Sequence, residues 1–261
     1  MELGLEGKVA IVTGGSKGIG RAIALGLVAE GASVMACARG QEALEETAAA
    51  ATRAGRGAIA TARADLTDGR AIKDVVAKCI ERFGQVDILV NNAGSARPGD
   101  FLKLEDEAWI SDWTLKFFGY VRMAREVFSH MRGRRRGVIV NIIGAAALNP
   151  RGGYMIGGAA NAALNNFTKA LADEGAPDIR VVGINPGPIL TERLLKMRGG
   201  LSPATANDPT DEAFKRMTPL GRVGSAEEVA DLAIFLASAR AAFIHGANIT
   251  IDGGSTRGLM G

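Results

Sequence analysis

The sequence predicts an α/β protein: a doubly wound sheet of about seven parallel strands, covered by helices on both faces, in a single domain. Three observations carry that expectation. Short β-branched runs alternate with longer amphipathic stretches along the whole chain, the pattern of strands joined by crossover helices. No shift in composition marks a second domain, and 261 residues are enough to bury one core. Glycine is in excess, 35 residues, as a chain with many tight turns requires.

The predicted strands are KVAIVT (8–13), SVMACA (33–38), AIATARA (58–64), VDILVNN (86–92), GVIVNII (137–143), RVVGIN (180–185) and NITIDG (248–253). They are short apolar runs, as strands buried on both faces are. Helices are expected to begin near Gly18, Glu42, Gly69, Asp106, Gly153 and Ala226, and the last, AEEVADLAIFLAS, carries apolar residues at helical spacing. One irregular insertion, 189–224, is broken by Gly, Pro, Asn and Asp. Loops of that length in a compact domain usually serve function, and this one is expected to form a substrate lobe or lid.

Charge narrows the function. The net charge is +3, from 31 basic and 28 acidic residues, too weak for a nucleic-acid or membrane partner. A small-molecule substrate is expected instead. The one basic run, RGRRR at 132–136, falls between a helical stretch and a strand and reads as a solvated turn. Cys37 and Cys79 lack disulfide or metal-ligand spacing and read as core residues. His130 and His245 read as structural, and no metal site is expected. The start, MELGLEGKVAIVTGG, has no basic n-region or long apolar run, so a cytoplasmic location is expected.

TGGSKGIG, residues 13–20, follows the first strand and opens a helix, the context a phosphate site demands. Gly14, Gly18 and Gly20 lack side chains where the backbone must turn and approach a pyrophosphate, and Ser16, Lys17 and Ile19 lie in the same turn. The helix N-terminus adds free N–H groups and the positive end of a dipole. The second strand ends at Ala38-Arg39, where a carboxylate would hold a ribose 2′-hydroxyl and an arginine suits a 2′-phosphate. With Lys17 as a second cation, NADP(H) is expected over NAD(H). Asp65 and Leu66, followed by Thr67, are placed to address an adenine edge. Asn92, Ala93 and Gly94 are small enough for a ribose to lie against the backbone. Pro186, Gly187 and Ile189, with Thr191 beyond, offer backbone groups to a carboxamide.

TGxxxGIG, DLT, NNAG, the PGP turn, EEVADLAIFLAS and the terminal IDGG, in that order, resemble the short-chain dehydrogenase/reductase family over nearly the whole chain. The resemblance implies a Rossmann-type sheet, a nicotinamide dinucleotide at the C-terminal edge of the strands, and a homodimer or homotetramer. It also implies four catalytic groups: a tyrosine, a lysine four residues later, a serine thirteen before the tyrosine, and an asparagine on the preceding helix.

Those four are replaced. NAALNNFTKALADE aligns with the family's helix and puts Gly157 at the tyrosine and Asn161 at the lysine. Counting back thirteen gives Gly144 for the serine, and the preceding helix gives Lys116 for the asparagine. Lysine and asparagine have thus traded places, and two glycines empty the middle. Lys116 is expected to bring its cation to the nicotinamide ribose from the neighbouring helix, Asn161 to make neutral hydrogen bonds there, and Tyr154, three residues before Gly157, to lean its phenol into the vacancy. The chemistry expected is NADP(H)-dependent carbonyl–alcohol interconversion with a non-standard active site. A lyase or dehydratase on the same scaffold, or a nucleotide sensor without turnover, are the other readings.

Overall fold

A computed structural model describes residues 2–197 and 212–257. Its seven strands are β1 (Val9–Thr13), β2 (Ser33–Ala38), β3 (Ile59–Arg63), β4 (Ile88–Asn91), β5 (Gly137–Ile142), β6 (Ile179–Pro186) and β7 (Asn248–Ile251). The helices are α1 (Gly18–Ala29), α2 (Gln41–Ala54), α3 (Gly69–Phe83), α4 (Asp106–Gly133), α5 (Met155–Gly175), α6 (Glu192–Met197), α7 (Glu212–Lys215) and α8 (Ala226–Ala237). All strand pairs are parallel, in the order β3-β2-β1-β4-β5-β6-β7. The predicted sheet is therefore present, each strand within two residues of its expected bounds. Helix α5 starts at Met155, because Gly152–Tyr154 forms a 3-10 turn first.

Burial on both faces explains the near-continuous apolar strands. Ala10 and Val12 of β1 face a core with Ile23 and Leu27 of α1, Leu44 and Ala51 of α2, and Val229 and Ala233 of α8. Val9 and Ile11 face the other core, with Ile72 and Val76 of α3, Met123 and Val127 of α4, and Ala172 of α5. Cys37 and Cys79 are buried free thiols in that second core, as expected. Burial pushes both up to about 12, so neither is a nucleophile near neutral pH.

The strand order reverses direction between β1 and β4, and ligands of such sheets bind in the crevice beyond the strand C-termini at that switch point. A buried polar chain fixes α5 against this edge. Asn91 Nδ2 donates to Asn141 Oδ1 at 3.0 Å, Asn141 Nδ2 to Thr168 Oγ1 at 2.9 Å, and Thr168 to the Leu164 carbonyl at 2.8 Å.

The opposite edge is tied by Asp87. Its carboxylate accepts from Val9 N at 2.9 Å and Gln85 Nε2 at 2.7 Å, and pairs with Arg134 and Arg136 at 3.3 and 3.4 Å. Arg132 and Arg135 pair with Glu174 and Asp178. The basic run is therefore more than the solvated turn expected: the acids that neutralise it are distant in sequence and near only after folding. His130 accepts from Val86 N at 3.1 Å, and His245 bridges Val181 N and the Ala172 carbonyl, so both histidines are structural. Asp87→Ala strands a buried N–H and two guanidinium groups. A loss of about 3 kcal/mol in urea-unfolding free energy is expected.

Candidate active site

The turn between β1 and α1 owes its shape to glycine. Gly14 and Gly18 have φ of +65° and +51°, which L side chains rarely adopt, and a Cβ on Gly20 would run into the Gly14 carbonyl. Thr13 Oγ1 accepts from Asn92 N and Ala93 N at 2.8 and 3.0 Å, and Asn92 Nδ2 donates to the Thr13 and Gly14 carbonyls. These bonds clip the NNAG turn to the glycine turn. Helix α1 has no side-chain cap and no acid in its first turn, so its first N–H groups remain free for a phosphate, as the cradle of a pyrophosphate needs.

Around that cradle, Arg39 is exposed beyond the end of β2. Lys17 pairs with Glu192 of α6 at 3.0 Å, both more than half exposed. Exposed pairs contribute about 0–1 kcal/mol, so an incoming phosphate can replace that carboxylate. Asp65 Oδ1 accepts from Thr67 N and Oγ1 at 3.0 and 2.9 Å, and these bonds, with the charge of Arg39, hold its carboxyl below the usual range. Leu66 is a core residue, so only its backbone is available to a base. At the end of β6, Pro186 is buried, and beyond it Gly187 donates to the Ile251 carbonyl at 2.9 Å. Gly224 takes the Leu190 N–H and gives its own to Pro188, while Ile189 buries its side chain and its N–H has no partner among the described residues. Thr191 Oγ1 accepts from Leu194 N at 3.3 Å and so caps α6.

Beside the cradle, three glycines give up side-chain volume to three polar residues. A Cβ on Gly94 would meet Lys116 Cγ at 3.1 Å. One on Gly144, whose φ is +144°, would meet Asn161 Nδ2 at 2.7 Å. One on Gly157 would overlap the Tyr154 ring and lie 2.5 Å from its hydroxyl. Tyr154 is half-buried in a small cluster with Ala96, Ala108, Ile156, Leu104, Trp109 and Trp113. Its hydroxyl thus stands where a residue 157 side chain would have begun.

Lys116 is 5% exposed and turned inward, donating from Nζ to the Ile143 carbonyl at 2.9 Å. Burial, aided by the positive charge of Arg193, lowers its amine to about 7. Asn161 is 3% exposed and its Oδ1 has no partner among the described residues. Asn185 accepts from Gly144 N at 3.4 Å, and its Nδ2 is unpaired among the described residues.

The profile of the family described as short chain dehydrogenase matches residues 8–199. The chain belongs to the short-chain dehydrogenase family. It is 34% identical over 258 residues to 2,3-dihydro-2,3-dihydroxybenzoate dehydrogenase of Bacillus subtilis, covering 98% of each chain. Against a 3-oxoacyl-[acyl-carrier-protein] reductase of Escherichia coli it is 35% identical over 253 residues, covering 97% of this chain and 98% of that one. Among solved structures, L-sorbose reductase of Gluconobacter frateurii, crystallised with NADPH and L-sorbose, superposes with a TM-score of 0.90 at 35% identity, covering 99% of this chain and all of that one. This short-chain dehydrogenase is accordingly an enzyme, an oxidoreductase of small molecules.

The fold brings Lys116, Tyr154 and Asn161, named from the sequence, to one corner of the sheet edge. Sequence reasoning missed Arg193. It donates from Nη1 to the Gly94 carbonyl at 3.0 Å, and from Nη2 to the Ala96 carbonyl at 3.3 Å and the Tyr154 hydroxyl at 2.9 Å. Its partners lie 99, 97 and 39 residues away, so no local motif announces the contact. The middle of the expected lobe, 198–211, lies outside the described residues. No group of three metal-ligating side chains occurs among the described residues, and no described helix is long and apolar enough to cross a membrane.

Two predictions follow from this corner. Below pH 7 Lys116 is charged folded and unfolded; between about 7 and 10.5 it is neutral only when folded, so folding releases a proton and stability rises with pH. Lys116→Met removes that dependence: the stability advantage of the Met variant over wild type is expected to be largest near pH 6 and to shrink by pH 10, read by urea titration at each pH. Restoring the family's residue by Gly144→Ser forces a side chain into φ +144° and against Asn161. Turnover is expected to fall by at least tenfold rather than to rise.

Proposed function

We propose that this enzyme interconverts a carbonyl and an alcohol on a small molecule with NADP(H), and that Tyr154, Lys116 and Asn161 replace the family's usual catalytic quartet. The observation that carries the reading is the Tyr154 hydroxyl occupying the volume left by Gly157, at the sheet edge that also holds a buried lysine and a buried amide whose oxygen has no partner among the described residues.

The nucleotide, when bound, supplies or accepts the hydride. The chain's residues hold it and manage the proton. Gly14, Ser16, Lys17, Gly18, Ile19 and Gly20 form the pyrophosphate cradle; Arg39 and Lys17 meet the 2′-phosphate; Asp65 and the Leu66 backbone address the base. Asn92, Ala93 and Gly94 line the ribose, and Pro186, Gly187, Ile189 and Thr191 flank the carboxamide. Arg39 without a carboxylate at the end of β2 supports NADP(H), and L-sorbose reductase, a relative of known structure, was crystallised with NADPH.

Tyr154 donates a proton to the substrate oxygen in reduction and takes it back in oxidation. Lys116, with an amine near 7, can hold or release a proton at Nζ within the working pH range, which an ordinary lysine cannot. Asn161 offers neutral hydrogen bonds that hold the substrate or ribose without adding charge. Residues 189–224 form the substrate lobe. Its described part packs Leu195 against Leu190, Leu194, Met217 and Val223. A homo-oligomer is part of this reading, supported by Ile110 and Phe118, large apolar side chains exposed on α4.

Assay of a panel of aldehydes, ketones and sugar alcohols, following NADPH absorbance, tests the proposal. Turnover of at least one compound is expected, with Tyr154→Phe reducing kcat by about 10²–10⁴. Arg39→Ala is expected to raise KM for NADPH by about tenfold and leave that for NADH unchanged. Substrate consumed with no net cofactor change would point to lyase chemistry, and full activity in Tyr154→Phe would remove the phenol from the mechanism.

A further inference from the structure

We infer that Arg193 is a positioning residue for proton transfer: from α6 it fixes the Tyr154 phenol so that the hydroxyl hydrogen faces the substrate. The inference rests on the proposed role of Tyr154, and the geometry adds what that role lacks, a fixed cation against the phenolic oxygen.

Three hydrogen bonds from one guanidinium reach three separate places, two carbonyls after β4 and the residue that precedes α5. A planar guanidinium held at both Nη atoms has little freedom to rotate. Its charge is permanent, and among the described residues it has no carboxylate partner. Carbonyl oxygens satisfy its donors without neutralising it. The charge therefore remains next to the phenol.

Two consequences follow for Tyr154. A phenolic oxygen that accepts from Nη2 has that lone pair engaged, so its own hydrogen is free to donate in another direction. As that hydrogen leaves, negative charge builds on an oxygen that already has a cationic donor 2.9 Å away, the arrangement that stabilises a developing oxyanion without reorganisation. The family's lysine plays its part from the same helix as its tyrosine. Here Asn161 is neutral, Lys116 spends its amine on the Ile143 carbonyl, and the cation that touches the phenol comes from α6. Arg193 also bears on Lys116, whose amine is lowered partly by its charge.

The test is a double-mutant cycle with an independent spectroscopic reading. With the panel carbonyl that wild type reduces fastest, Arg193→Ala is expected to lower kcat by about 100-fold with KM for NADPH unchanged. Arg193→Lys is expected to recover part of the loss, and Arg193→Ala made on Tyr154→Phe to cost nothing further. An equal loss in both backgrounds overturns the inference and leaves the Tyr154 reading standing, whereas unchanged kcat in Tyr154→Phe alone removes that reading. The chain has two tyrosines, and Tyr120 is buried with its hydroxyl donating to the Ile142 carbonyl. In protein labelled with 13C at the tyrosine Cζ, the Tyr154 signal is the one lost in Tyr154→Phe. Arg193→Ala is expected to shift it and leave that of Tyr120 in place. A Tyr154 signal unmoved by Arg193→Ala overturns the inference with no substrate required.

Discussion

A glycine leaves room for a neighbour, and at the edge of this sheet that steric fact decides where the polar groups go. Lys116 lies along Gly94, the Asn161 amide abuts Gly144, and the Tyr154 ring covers Gly157. Interiors are packed too densely for such volume to stay empty, so each missing side chain draws in an adjoining one. The three glycines are therefore part of the active corner although none carries a reactive group.

Electrostatics follows from the same packing. Lys116 is buried with no carboxylate to meet it among the described residues, and donates to one carbonyl as its partner. Burying an ammonium under those terms costs several kcal/mol, which the protein avoids by letting the amine become neutral near pH 7. Arg193 cannot take that route and keeps its charge, half-exposed, where solvent and three acceptors temper the cost. A permanent cation thus touches the Tyr154 phenol, and its field reaches a titratable amine. Cofactor binding needs none of this, since its cradle is built of backbone turns clipped together by Thr13 and Asn92. In the proposed reading, the binding half of the site follows the family and the proton-handling half departs from it.

Legibility in the sequence divides along a related line. The sheet could be read because every strand buries both faces and so appears as an apolar run, and because glycine turns with φ near +60° tolerate few other residues. Lys116, Asn161 and Tyr154 could be named because they sit at fixed offsets from family landmarks on α4 and α5. The ion pairs of the 132–136 run could not be foreseen: Asp87, Glu174 and Asp178 are brought to it by a sheet edge and a helix end. Leu66 shows the converse, a residue named for the site whose side chain belongs to the core.

The amino-acid order alone determined the strand and helix succession, the glycine turn after β1 and the register that puts Lys116, Gly144, Gly157 and Asn161 at the positions named for the family's four groups, since each is written in spacing along one stretch of chain. Only the folded chain decided that Tyr154 fills the space over Gly157, that Lys116 points inward to Ile143, and that Arg193 reaches Tyr154 from α6. The reason is distance. Hydrogen bonds and steric exclusion act over a few ångströms in space, and these partners meet only after the crossovers have laid β4, β5 and α6 along one edge.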